Sequence, residues 1–462
     1  MPGARAAADY LAGEARRLGL RPAGDQGTYL ARVPLTRQAS RAEAWVRGAA
    51  GAERALTRDE MLLISGFSDL PANPRAAGQG SLVFGGYMVD PAVTAQQELK
   101  PEQMAGAALV VRYGAPAGVN PQSARPRLPL GSLMGAGSPL SAIILVNEGP
   151  LEAFWEHVRG SGHVLKLAGK GEEEPGGGPP IFLVSPAAAE RLLGAPLSGA
   201  RQPRTGLGTF RYAVAGTMDT IQAWNVVAVL PGSDPRRATQ YVALGAHYDH
   251  VGVGEPVNGD SIYNGADDDA SGTSAVLEIA ERYASLPAAQ RPARSLLFVW
   301  HTGEEEGLLG SEWFTENPTV HRDSIVAQVN LDMIGRNHPD SIFLVGSRRL
   351  STQLGDTVEA VNRRLQRPVG LDYSFDQPGH PEQIYCRSDH YNYARFGIPV
   401  VFFTTGLHED YHKPSDEVQK VNYEKLARMT QFIGEVVGAV ANGATRPLVD
   451  RPVPPPDAPC IQ

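Results

Sequence analysis

A histidine and an aspartate, His247 and Asp249, close the apolar run YVALGAHYD, and three consecutive aspartates, Asp267, Asp268 and Asp269, follow just before a helix-like pattern. In an extended chain, side chains at i and i+2 share a face, so an imidazole and a carboxylate are presented together. More acids stand at the ends of apolar runs: Glu304 and Glu305 after SLLFVWHTG, and Asp332 at the close of IVAQVNLD. His412 follows IPVVFFTTG after a loop. Imidazole and carboxylate are zinc ligands, and a catalytic zinc keeps a position for water. Two metals about 3.5–4 Å apart need a bridging carboxylate and can share a hydroxide. Asp268 is assigned as the bridge of a two-zinc centre, with His247 and Asp332 on one metal and Glu305 and His412 on the other. The charges balance, because three carboxylates and one hydroxide neutralise two divalent ions. Glu304 is left to take a proton from water and pass it to a leaving amine. Asp249 is expected to hydrogen-bond the outer nitrogen of His247, and Tyr411 to donate to an oxyanion.

These residues need a scaffold that gathers distant segments. From residue 206 the pattern alternates strand and helix. TFRYAVAG, NVVAVLPG and YVALGAH read as three strands, as do ARSLLFVWHTG, IVAQVNLDMIG and IPVVFFTTG. SGTSAVLEIAERYASL reads as a helix, with Ala275, Val276, Ile279, Ala280 and Tyr283 on one face and Ser271 as its cap. RLSTQLGDTVEAVNRRL and EKLARMTQFIGEVVGAVA are further helices. This alternation predicts a largely parallel α/β sheet flanked by helices, in which ligands gather beyond the carboxyl ends of the strands.

Ahead of this region, residues 4–19 read as a helix with Ala8, Leu11, Ala15 and Leu18 near one face, leading into a short strand. From about 55 to 205 the texture is short β-rich runs between Gly/Pro loops: MLLISGF, GSLVFGGYMV, AGAALVVRYG, SAIILVNEG and PIFLVSPAAAERLL. EEEPGGGPP, at 172–180, reads as a surface loop. No cluster of His, Asp and Glu occurs there, so a lid or spacer is expected.

With 462 residues the chain exceeds one ordinary domain. A formal net charge of -8 argues against a nucleic-acid partner, which calls for a basic stripe. No run of apolar residues is long enough to span a membrane, and no leader is visible. Cys386 and Cys460 are the only cysteines; they either form one disulfide or remain free. The Pro-rich segment after residue 445 is expected to run over the surface.

The blocks HYDH, GADDDASG, GEEEGLLGS, NLDMIGR, CRSDHYNYARFGIP and DYHKPSDE, in this order, resemble the di-zinc exopeptidase family that includes the bacterial secreted leucyl aminopeptidases. The resemblance covers about 206 to 440. It implies a zinc-exopeptidase fold of the phosphorylase/hydrolase-like type, with a mixed, mostly parallel sheet between helices. It also implies a metallo-aminopeptidase acting on peptides with a free N-terminus, two zinc ions, and the ligand roles given above. The family spacing selects Asp268 from its triplet and makes Glu306 the spacer after Glu304 and Glu305, while Asp267 and Asp269 orient the loop. KPEQMAGAALVVRYGAP resembles the protease-associated domain of some relatives. The implied organisation is 1–55 as the start of the peptidase domain, 56–205 as a protease-associated domain, 206–445 as the catalytic domain and 446–462 as a tail. Relatives with this pairing point to a secreted, periplasmic or cell-surface setting.

Other readings are weighed beside this one. A glutamate carboxypeptidase would need a cation for a C-terminal carboxylate, for which Arg336, Arg387 and Arg395 are candidates. A glutaminyl cyclase uses one zinc, and a transferrin-receptor-like binding protein would lose ligands; the complete ligand set argues against both. His301, His321, His338, His380 and His408 read as structural. His250 is read as pointing away from His247. Ser388, Asp389 and His390, although adjacent, read as a loop near the pocket rather than a nucleophilic triad.

Overall fold

The computed structural model describes residues 2–49, 51–63, 75–87, 99–112, 133, 137–148, 151, 155, 163–169, 178–458, 460 and 462. They divide into two compact units, Met1–Leu35 with Gln222–Gln462, and Thr36–Ile221. The expected boundaries at 55/56 and 205/206 both fall inside the second unit. The reason lies in two strands longer than the sequence pattern suggests, Leu30–Gly48 and Gly208–Leu230. The latter joins TFRYAVAG and NVVAVLPG, read as separate strands, into one element of 23 residues.

In the first unit the strand order is Gly370–Asp372, Ser341–Val345, Val400–Thr404, Ile325–Leu331, Tyr241–His247, Ser295–His301 and the end of Gly208–Leu230. The four strands from Val400–Thr404 to Ser295–His301 are parallel. Antiparallel pairing occurs on either side, between Val226–Leu230 and Ser295–His301, and between Ser341–Val345 and Val400–Thr404. The sheet is therefore mixed and mostly parallel, as expected. Its central strands are buried along their whole length, which is why they read as unbroken apolar runs rather than alternating ones.

Helices Ala270–Ala284, Thr352–Arg364 and Tyr423–Asn442 cover the sheet. Ala275, Val276, Ile279, Ala280 and Tyr283 are buried against Phe298, Trp300, Val329 and Met429, the face the helical spacing selects. The first of these helices is capped by Asp269, whose side chain accepts from Gly272 N at 2.9 Å, and not by Ser271. Ser271 lies two residues too far in, and its hydroxyl bonds Asp267 O and Ile334 N instead. The opening helix is Pro2–Arg17, with Ala8, Leu11 and Ala15 buried.

In the second unit Arg75–Tyr87, Ala108–Arg112, Ala142–Val146 and Ile181–Val184 are parallel neighbours. Met61–Leu63 and the first half of Gly208–Leu230 close the two sides antiparallel. Phe84, Phe182 and Phe210 lie in its core. The loop read at 172–180 lies outside the described residues except for its last three, as do the ends of MLLISGF, GSLVFGGYMV, AGAALVVRYG and SAIILVNEG.

The tail segment does run along the surface in part, but it is tied down. Cys386 and Cys460 form a disulfide. Gln462 accepts from Tyr385 N at 2.9 Å through its side chain and from Gly379 N at 2.9 Å through its main chain, and its amide donates to Phe375 O. Among the described residues, no helix is long and apolar enough to cross a membrane.

Candidate metal centre

One of the four parallel strands ends on a proposed ligand, and the other three lead to one. Tyr241–His247 ends on His247, Ser295–His301 leads to Glu304 and Glu305, Ile325–Leu331 to Asp332, and Val400–Thr404 into the loop carrying Tyr411 and His412. Asp268 enters from the turn before the helix Ala270–Ala284. The carboxyl ends of neighbouring parallel strands are a few ångströms apart, so residues far apart in sequence converge.

Asp268 is at the centre. Its Oδ1 lies 3.2 Å from His247 Nε2, and its Oδ2 lies 3.2 Å from His412 Nε2. Asp332 Oδ1 is 3.6 Å from His247 Nε2, and Glu305 Oε2 is 2.9 Å from His412 Nε2. Glu304 Oε2 stands 3.9 Å from His247 Nε2. Asp268 thus faces two imidazoles with two different oxygens, one towards His247 and Asp332 and the other towards His412 and Glu305. Groupings of His247 with Asp268 and Asp332, and of His250 with Asp268 and Glu305, bring one donor atom from each residue within 4.8 Å of the others.

The donors fit divalent cations. His247 Nε2, His412 Nε2, Asp268 Oδ2 and Glu305 Oε1 are buried and without a hydrogen bond. Buried polar atoms are rarely left so, and imidazole with carboxylate is the donor set of zinc. Burial alone would raise the Asp268 carboxyl; the facing His247 and His412 outweigh it and hold the group well below its ordinary range. Burial opposes a charge on His412, but Glu305 and Asp268 raise its imidazole to about 10.

A second layer of contacts aims these groups. Asp416 Oδ2 accepts from Asp267 N at 3.0 Å and Asp268 N at 3.1 Å, which holds the turn that carries Asp268. Asp267 accepts from Gly335 N and faces His408 Nε2 at 3.3 Å, so His408 is structural, as read. Asp269 receives Met333 N and His247 N as well as its cap bond. Asp332 Oδ2 accepts from Ser388 Oγ at 2.7 Å, which itself accepts from Asn330 Nδ2 at 2.8 Å. Ser388 is therefore an aligner of Asp332. Asp416 had no signal beyond lying in DYHKPSDE.

Two expectations are corrected. His247 Nδ1 meets the main-chain oxygen of Asp249 at 3.0 Å, not its carboxylate. The strand ends at His247, so the i, i+2 geometry of a strand no longer applies. The Asp249 carboxylate instead accepts from Glu304 N at 3.3 Å, and burial raises it to about 6. His250 does not point away from the site: its Nδ1 lies 2.6 Å from Glu305 Oε1. Beyond the strand end at His247, residues 248–251 carry no regular structure before the strand that starts at Gly252.

Tyr411 stacks on His412, with ring centroids 3.8 Å apart, and its Oη accepts from Arg387 Nη2 at 3.2 Å. Burial and the nearby Asp268 and Glu305 push its phenol well above the ordinary value, so it remains a donor. A pocket opens on these groups, with Met333, Phe375, Ile384, Phe402 and Leu407 as its apolar wall. Of the three arginines considered, only Arg387 lines it. Arg336 pairs with Asp410 at 2.7 Å, and Arg395 with Glu316 at 2.5 Å. His301 is buried on Tyr393, and burial depresses it to about 3.

Residues 225–437 match the sequence model of peptidase family M28. A probable leucine aminopeptidase of Arthroderma benhamiae is 28% identical over 215 residues, which span 45% of this chain and 55% of that protein. Leupeptin-inactivating enzyme 1 of Streptomyces exfoliatus is 30% identical over 198 residues, 43% of this chain and 39% of that one. The chain thus spans about half the length of the curated relatives it matches. Among solved structures, an aminopeptidase from Aneurinibacillus sp. strain AM-1 superposes over 98% of this chain and 92% of its own, with TM-score 0.59 at 18% identity. A zinc aminopeptidase from Bacillus subtilis does so over 95% and 88%, with TM-score 0.55 at 16% identity. These two share the fold.

Proposed function

We propose that this chain, whose residues 225–437 match peptidase family M28, is a metallo-aminopeptidase with a co-catalytic pair of zinc ions. The observation that carries the reading is the placement of Asp268 between His247 and His412, one carboxylate oxygen on each at 3.2 Å. His247, Asp268, Glu305, Asp332 and His412 would hold the two ions. When bound, they supply Lewis acidity and a water of lowered pKa.

The chain's own residues then act as follows. Glu304 accepts the proton of the attacking water and returns it to the departing amine. Tyr411, whose oxygen already accepts from Arg387, keeps its proton free to donate to the carbonyl oxygen of the scissile bond as charge develops there. The apolar wall takes the first side chain, which favours a large aliphatic or aromatic N-terminal residue. The acids around the site suit a free amine better than a carboxylate. Arg387, the pocket's cation, is already paired with Glu382, which weighs against a carboxypeptidase. The inserted unit is read as a protease-associated domain and the setting as secreted or periplasmic.

The test is a panel of aminoacyl-anilides, each beside its N-acetylated form and beside peptides ending in glutamate. Cleavage of the free-amine substrates alone, lost on chelation and restored by zinc, is expected. Cleavage of the acetylated forms, or from the C-terminal end, would overturn the proposal.

A further inference from the structure

His250 is buried, with 8% of its side chain exposed, and neither ring nitrogen makes a hydrogen bond. Nδ1 lies 2.6 Å from Glu305 Oε1 and 3.8 Å from Asp268 Oδ2. The first contact is as close as a hydrogen bond but lacks the alignment of one, and Glu305 Oε1 is equally unpartnered. On the other side of the same two carboxylates, His412 Nε2 lies 2.9 Å from Glu305 Oε2 and 3.2 Å from Asp268 Oδ2. The two imidazoles approach each other edge to face, with centroids 5.6 Å apart. Two imidazoles and two carboxylates thus turn their free atoms inward.

Donor atoms on one tetrahedral zinc, with bonds of about 2.0–2.1 Å, lie about 3.3 Å from each other. The separations measured here bracket that spacing. The ring also has a built place. A Cβ on Gly265, which holds φ 64°, would fall 2.2 Å from Asp268 O and 2.6 Å from His250 Cγ, so the turn that carries Asp268 and the imidazole are both packed closely on this glycine.

We propose that His250 is a ligand of the second metal position, beside Asp268, Glu305 and His412. The inference rests on the two-metal reading above. It makes the two positions unlike each other. The second has four protein donors, whereas the first has His247, Asp268 and Asp332 and keeps more room for water next to Glu304. Two nitrogen donors also bias the second position towards zinc over manganese or magnesium.

The full chain is stripped of metal, titrated with zinc by calorimetry and its bound zinc counted by mass spectrometry. The parent protein is expected to bind two ions. His250→Ala is expected to keep one and to lose affinity for the second beyond the roughly 10–100-fold that losing an orienting partner costs. His250→Asn, which can hydrogen-bond Glu305 but is a poor zinc ligand, should behave like His250→Ala. Two ions bound by both variants with unchanged affinity would overturn the proposal. Recovery in His250→Asn alone would overturn it too, by making His250 an orienting group. A parent protein that binds fewer than two ions would defeat the two-metal reading itself and this inference with it. Should the variants fail to fold, cobalt substitution of the parent protein decides. Its shifted proton resonances should report three ligating histidines, His247, His250 and His412; two would overturn the proposal.

Discussion

Glu304 groups with His247 and Glu305 as a donor, but the proposed ligand sets leave it unassigned. Its main-chain N–H is pinned to Asp249 and its side chain reaches to 3.9 Å from His247. Burial, with Asp332 and Glu305 adding to it, raises this carboxyl well above its usual range against the opposing charge of His247, and cations bound nearby would invert that balance and favour the ionised base. Glu304→Ala is expected to bind both metals and to lose about 10²–10⁴-fold in turnover, read by zinc counting and steady-state kinetics. An emptied metal position would instead make Glu304 a ligand and Glu305 the base. The choice within each acidic triplet could be drawn from family spacing, and Asp268 and the Glu304–Glu305 pair are the residues that face the cluster. His250 could not be placed by the same means. The rule that alternate residues share a face holds only inside a strand, and the strand stops at His247. Beyond it residues 248–251 carry no regular structure, so the direction of each side chain leaves little trace in the pattern. Ser388 was hidden for a different reason: its task is to aim Asp332, and an aligning hydroxyl looks like any other serine.

The elements were legible where their pattern was long. The buried parallel strands and the helix over 270–284 stand where the apolar runs put them, whereas the join at 217–224 between two strand-like runs was missed because its polar residues imitate a loop. Helix Tyr423–Asn442 illustrates what an apolar period cannot announce. Its Lys425 is buried with 2% exposure, and Nζ donates to Arg336 O and to His338 O at 2.7 Å. The helix thereby holds the loop that follows Asp332. Burial lowers this amine to about 8, against a weaker opposing pull from Asp267. The unfolded chain, near the ordinary value of 10.5, binds the proton more readily between these limits. Stability from this group is therefore least below pH 8 and rises as pH climbs towards 10.5. Lys425→Met leaves two carbonyls without their donor and is expected to cost about 1–3 kcal/mol. In denaturant titrations the gap between parent and variant should widen between pH 8 and 10. A gap that narrows there would show that the amine is not buried as described.

For the whole molecule, the tail is the part whose role the residues least disclosed. A Pro-rich stretch reads as a loose end, yet Cys460 is bonded to Cys386 across 74 residues, and Gln462 is seated on the loop that carries Phe375, Ile384 and Arg387. Sequence leaves cysteine pairing open because it depends on where two distant segments are brought together. Cys460→Ser is expected to lower stability by about 2–4 kcal/mol and to raise KM for apolar aminoacyl substrates while both zinc ions stay bound. Thermal melts, zinc counts and kinetics on the anilide panel check this; an unchanged KM would show that the tail does not shape the pocket. The order in which a ribosome delivers these parts gives the link a further meaning. Every residue proposed to hold or serve the metals, from His247 to His412, emerges before Cys460. On the metallo-aminopeptidase reading, a nascent chain thus holds every proposed metal-binding residue before the wall proposed to select substrates can be fastened, so that during biosynthesis reactivity would precede discrimination.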